Sequence, residues 1–170
     1  MLLQVTEPIK WLGETKGFWV QTVVLGVSAI GGIWIILSRG QQEARRATVD
    51  LVVEQKRDTK LTVAREWINK TKERGETNLA KYLESPESTE YQNILYALNT
   101  YEFVAVGIRT GAFSETTYKR LRYSTLIADW ECFHGFVTEF RKRHGTQSLF
   151  QDFEWLHERW KNKPLKVNDK

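Results

Sequence analysis

Charges are absent from one stretch of the chain and spread almost evenly over the rest. Phe18 to Ser38, FWVQTVVLGVSAIGGIWIILS, holds no ionisable side chain over 21 residues. At about 1.5 Å rise per residue a helix of that length crosses the roughly 30 Å hydrocarbon core of a bilayer. Trp11, Trp19 and Trp34 supply aromatics for the interfaces. A cleaved signal peptide fits less well: the apolar run is too long, a polar-containing lead precedes it, and LSRG offers no small-x-small cleavage site. The pattern predicts a transmembrane helix over 18–38 behind a short N-terminus, 1–17.

Past Arg39 the apolar positions recur at helical spacing throughout. GQQEARRATVDLVVEQKRD continues from the membrane helix with Ala44, Ala47, Leu51 and Val52 on its apolar face. TKLTVAREWINKTKERG places Leu61, Ala64, Trp67 and Ile68 on a stripe, and Gly75 stops it. NLAKYLES is a short segment, and ESPESTEY reads as the capped start of a long helix ended by Gly111. Ser114 caps a further helical region, expected to break near Ser124 and to stop at Gly145. From Thr146, QSLFQDFEWLHERWKNK aligns Leu149, Phe153, Leu156 and Trp160. No region alternates like a strand and no repeat is apparent. The expected fold is all-α: one N-terminal transmembrane helix, then a cytoplasmic bundle of about five helices over 39–162, with a polar tail, 163–170.

The least polar part of that bundle, LNTYEFVAVGIRTGAF (Leu98 to Phe113), shows Ile94, Leu98, Tyr101, Ala105 and Ile108 on one face, and Leu95, Phe103 and Val106 cover much of another. A helix apolar on most sides belongs at a bundle's centre. Glu102 and Arg109 lie on one side of it, too far apart axially to pair. Each requires a partner on a neighbouring helix or access to water. Gly107 is expected at a close helix contact.

Composition narrows the setting. The chain has 170 residues, 41% hydrophobic, with seven Trp and eight Phe to fill one core. One cysteine, Cys132, excludes an internal disulfide and any multi-cysteine zinc site. A net charge of +4 is too mild for a dedicated DNA or RNA binder. Arg39, Arg45, Arg46, Lys56 and Arg57 follow the apolar run, against Lys10 and Lys16 before it. The positive-inside bias puts the N-terminus outside and the helical domain in the cytoplasm, at a bacterial inner membrane. Thr22, Gly26, Ala29 and Gly32 share one face of the span and allow close helix approach, so the anchor can self-associate; scattered small residues in a lone span explain them nearly as well.

Candidate chemistry is sparse. Glu131 with His134 and Glu154 with His157 form two Glu-x-x-His pairs, the spacing of a di-iron carboxylate bundle. The apolar stripes, however, place each His at the edge of the buried face and each Glu further out. No metal and no cofactor is therefore expected. Cys132 and His134 are two apart on a helix and point different ways, which excludes a nucleophile–base pair. GIRTG lacks the Lys and Ser/Thr of a phosphate loop and follows no strand. What remains is cationic. Arg45 and Arg46 suit an anionic leaflet, and Arg109, Lys119, Arg120, Arg122, Arg141 and Arg143 are the candidates for an anionic small ligand such as a nucleotide.

RRATVDLV, LNTYEFVAVGIRTGAF and FEWLHERW, in this order and spacing, resemble the bacterial and phage-borne domain-of-unknown-function family numbered 4760, whose members often follow one membrane helix. The likeness covers Gln41 to Lys161. It implies an anchored helical domain and transfers no catalytic residue. The leading expectation is a non-enzymatic, membrane-tethered, self-associating module that binds a partner or small ligand at the membrane. Two alternatives stay open: an antiviral-defence or stress effector whose membrane helices rearrange on binding an anionic signal, and a metal-dependent bundle enzyme.

Overall fold

Side-chain caps mark where the helices begin. In the computed structural model, which describes residues 10–11, 14–76 and 78–165, the Asp58 carboxylate accepts from the Leu61 N–H at 3.0 Å and opens α2, Thr59–Glu73. Ser88 accepts from Tyr91 at the start of α3, Thr89–Arg109. Ser114 does the same from Thr117 for α4, Glu115–His144. Each cap satisfies one of the N–H groups that the first helical turn leaves without a partner. α4 ends on Gly145 at φ 63°, a left-handed position that glycine adopts without steric cost. It runs through Ser124 without a break, because buried positions continue across it, from Tyr118 before the expected interruption to Leu126, Trp130, Phe133, Phe136 and Val137 after it.

The chain divides into two compact units, Met1–Gln42 and Glu43–Lys170. The first holds a two-residue antiparallel pairing of Lys10–Trp11 with Glu14–Thr15 and the N-terminal part of α1, Lys16–Arg57. Apart from that pairing, the described residues form only helices and their connections. Within 16–38, side chains are described only at Gln21, Val24, Leu25, Val27 and Ser28, all exposed. Among the described residues no helix is long and apolar enough to cross a membrane. Most side chains of the expected span, those of Thr22, Gly26, Ala29 and Gly32 among them, lie outside the described ones, as do residues 1–9, 12–13, 77 and 166–170.

The second unit is an all-helical bundle: the C-terminal part of α1, α2, a short 3-10 helix at Leu79–Glu84, α3, α4, and α5 at Gln151–Asn162. α3 packs against α2 and α5, while α4 packs against the 3-10 helix and α5. Ile94, Leu98, Tyr101, Ala105 and Ile108 are buried as their spacing predicts, joined by Ala97 and Val104. Phe103 and Val106 instead face outward, 60% and 40% exposed, so α3 is covered on fewer sides than its composition suggests. Gly107 is needed for a contact of its own: a Cβ there would overlap the ring of Phe113, just past the helix end. The close approach is to the returning chain rather than to another helix. On α1 the buried row is Thr48, Val52 and Gln55, with Ala44, Ala47 and Leu51 only half-buried. Two of those three buried positions are polar.

α5 begins later than its apolar spacing suggests. Phe150 sits at φ 56° in the left-handed region and offers no side-chain cap. Glu102 of α3 supplies the cap from a distance, accepting the N–H groups of Asp152 (3.2 Å) and Phe153 (2.8 Å) through its two oxygens.

Candidate anion-binding cleft

Three arginines expected to seek a ligand are engaged by the protein itself. Arg109 pairs with Asp152 at 2.5 Å and lies over the Trp155 ring. Arg141 donates to the Leu149 carbonyl and to Glu154, both at 2.8 Å. Arg143 pairs with Glu84 and reaches Glu139 and the Leu83 carbonyl. Lys119 donates to the Lys163 carbonyl and sits over the Tyr123 and Trp160 rings, while Arg120 is exposed. The structure does not gather these five cations into one site.

Arg122 is different. On α4 it falls in the register of Tyr118, Leu126, Asp129 and Phe133, the row that faces the bundle. It lines a cleft of about 410 Å³ between the C-terminal end of α1, α2 and α4, together with Gln55, Lys56, Arg65 and Asn69. Neither Arg65 nor Arg122 has a carboxylate within ion-pair distance among the described residues. Nε and Nη2 of Arg65 and Nε of Arg122 are buried with no hydrogen-bond partner. Gln55 is 4% exposed, and both its amide atoms lack a partner as well. Glu66 is the one carboxylate on the rim, and it is held by Lys70 at 2.8 Å.

Behind the cleft lies the Tyr118 hydroxyl, fully buried and also without a partner. Burial pushes its pKa up, and the positive charges of Arg65 and Arg122, with the Gln55 amide, act in the opposite direction. Arg65 also stands 5.8 Å from the Tyr101 ring centroid, a cation–π contact that satisfies its face but none of its N–H groups. The nearest interior carboxylate, Asp129, is already taken. It is 2% exposed, accepts from Lys72 at 2.5 Å, and accepts the Tyr101 hydroxyl on its other oxygen. Burial, and after it the Asp129 charge, hold the Tyr101 pKa well above the usual phenol range.

A deficit of negative charge therefore sits at one place. Buried N–H donors without acceptors are costly, and cations without counterions more so. An anion with several acceptor oxygens removes both costs at once, which is what guanidinium forks on different helices do for phosphate and carboxylate groups.

The Glu-x-x-His pairs do not converge. Glu131 and His134 are exposed, Glu154 is engaged by Arg141, and His157 is buried beside Trp130 rather than at the boundary. Burial lowers the His157 pKa, with Glu158 opposing the shift. Among the described residues no group of three His, Cys, Asp or Glu side chains is placed to hold a metal ion. Burial likewise raises the Cys132 thiol pKa, the reverse of what an activated nucleophile shows.

Arg65 and Gln55 carry no local signal. Arg65 borders the Leu61–Ala64–Ile68 stripe, and Gln55 stands in a charge-rich stretch. The signal that does exist is a register one: Gln55 follows Thr48 and Val52 on the buried row of α1, and Arg122 follows Tyr118 on that of α4. No curated protein and no solved structure matches the chain. A family model does match, over residues 22–160, and the chain belongs to that family, described as Domain of unknown function (DUF4760).

Proposed function

We propose that this protein is a membrane-tethered helical module that binds a small anionic ligand in the α1/α2/α4 cleft, without catalysis. The observation that carries the reading is the set of unpartnered donors on Arg65, Arg122 and Gln55 converging on one cleft. Two further cations strengthen the case by contrast, since Arg109 and Arg143 lie on the same bundle and each is paired with a carboxylate of the protein. The tether rests on the uncharged stretch 18–38, whose described side chains Val24, Leu25 and Val27 are 57%, 66% and 64% exposed on the isolated chain. Apolar side chains so placed call for a lipid or protein surface around them.

Thermal unfolding of the purified full chain in detergent, with and without inorganic phosphate, tests the cleft. A ligand that binds only the folded state at a hundred times its Kd raises stability by about 2.7 kcal/mol. The wild type is expected to melt higher in phosphate, and the Arg65→Ala/Arg122→Ala double variant is expected to show no such shift. An equal shift in both proteins, or none in either, removes the proposal. The tether is tested separately, by washing membranes at alkaline pH: release of the chain into the soluble fraction would rule it out.

Gln55 and Lys56 stand on α1, the same helix that carries the apolar stretch. That placement favours a second reading, an effector whose membrane segment responds to the bound anion. Ligand-dependent leakage of dye-filled vesicles carrying the full chain would support it, and intact vesicles under saturating phosphate would count against it.

A further inference from the structure

Of the side chains at or behind the cleft whose buried polar atoms lack a partner, Tyr118 alone is not part of the cleft wall. It stands one turn before Arg122 on the same face of α4, fully buried, with its ring centroid 6.2 Å from that of Trp160. Phenylalanine would fill the same space without an idle hydroxyl, and a buried polar group left unpaired is destabilising. A hydroxyl retained there calls for a use. Gln55 is the group it can serve. The Gln55 amide acts on the Tyr118 pKa as a hydrogen-bonding group, so the two lie within reach of each other, although neither is bonded as they stand. The terminal torsion of glutamine is broad and roughly two-fold, so a turn about it exchanges Oε1 with Nε2.

Oε1 has donors of two kinds around it, the neutral Tyr118 hydroxyl and the guanidinium groups of Arg65 and Arg122. An anion sorts them. Charge-assisted hydrogen bonds are roughly twice as strong as neutral ones, so both guanidinium groups turn to the anion and the phenol is left for Oε1. We infer that Tyr118 is the positioning residue of the anion site: its hydroxyl donates to Gln55 Oε1 and thereby aims Nε2 at the bound anion. This rests on the anion-binding reading above and adds a residue that touches no ligand itself. From phenol to amide to anion, each hydrogen bond polarises the next.

Calorimetric titration of the full chain in detergent with inorganic phosphate tests the inference on the wild type, Tyr118→Phe, Gln55→Leu and the double variant. Each single variant is expected to bind phosphate about tenfold more weakly, the equivalent of one well-made hydrogen bond. The double variant is expected to bind no more weakly than Gln55→Leu alone, because the hydroxyl acts only through the amide. Gln55→Met repeats the cycle and guards against Gln55→Leu failing to fold. Urea unfolding without phosphate is expected to find Tyr118→Phe at least as stable as wild type. Four results overturn the inference and leave the anion site standing. One is an unchanged affinity in Tyr118→Phe; another is a further tenfold loss when Tyr118→Phe is added to a Gln55 variant, the sign of direct contact with the anion. The others are a less stable Tyr118→Phe protein without phosphate, the sign of a purely structural role, and complete loss of binding in both Gln55 variants, which would make the amide more than one donor among several. Phosphate binding that is absent from the wild type, or that persists in the Arg65→Ala/Arg122→Ala variant, overturns the anion site itself.

Discussion

The α3/α5 junction and the α1/α2/α4 cleft both put charged side chains against the same bundle, and they resolve the problem in opposite ways. At the junction the charges meet counterparts within the protein: Glu102 caps α5, Arg109 meets Asp152, and Arg141, reaching over from α4, meets Glu154 and the Leu149 carbonyl while its Nη2 stays without a partner. In the cleft, Arg65, Arg122 and Gln55 have none. Charged residues of one type thus serve two ends. Where the protein supplies the counterpart, the charge fixes how helices pack; where it does not, the donors stay free for the anion proposed above.

Four substitutions can break or sharpen that contrast. The largest effect belongs to the interior pair behind the cleft. Asp129→Ala leaves Lys72 without its counterion and the Tyr101 hydroxyl without its acceptor. Removing one partner of a buried pair costs about 3–5 kcal/mol. The lower end is expected here because Lys72 keeps 27% of its side chain exposed. A urea midpoint unchanged from wild type would show that this network is ornamental.

Glu102→Ala comes next. It removes the acceptor for two N–H groups at the start of α5, with an expected loss of about 2 kcal/mol. Glu102→Gln retains one acceptor oxygen and should recover part of that loss. If alanine and glutamine behave alike, the remote cap does not hold α5 in place. Burial raises the Glu102 pKa, with the Phe153 and Asp152 N–H groups opposing the shift.

Arg122→Met should do almost nothing to stability. It deletes a guanidinium that has no partner and keeps the apolar stem, so the unfolding free energy should stay within about 0.5 kcal/mol of wild type or rise. Phosphate-induced stabilisation should disappear at the same time. A large loss of stability in this variant would place Arg122 with the paired charges and erase the distinction between the two regions.

The smallest effect is a change of slope. The His157 pKa is lowered from 6.5 by burial, so the unfolded chain binds its proton more readily than the folded one. Its stabilising share is complete above about pH 6.5 and is lost as pH falls below that value. His157→Leu should flatten the stability curve of the full chain in that acidic window. An unaltered curve would mean that the imidazole is more accessible than its place beside Trp130 implies.

Local sequence specified much of the frame. Ser88 and Ser114 cap the helices they precede, Gly145 stops α4, and the stripes Leu61–Ala64–Ile68 and Phe153–Leu156–Trp160 are buried as their spacing requires. These are short-range effects, decided within one or two turns by capping oxygens, left-handed glycine and the 3.6-residue period. Where local reasoning fell short, the missing partner was distant in sequence. α5 starts at Gln151 because Glu102, some fifty positions earlier, receives its first N–H groups. Gly107 is required because the chain turns back and lays Phe113 against it.

The amino-acid sequence by itself determined the uncharged N-terminal stretch, the helical class of the rest, most helix limits and the apolar stripes, since each follows from neighbours a few residues apart. Only the tertiary structure decided which cations are spent on the fold and which remain available. Arg109 and Arg122 look alike along the chain. Asp152 stands across from one and no carboxylate from the other, and that difference arises when helices far apart in sequence are brought side by side.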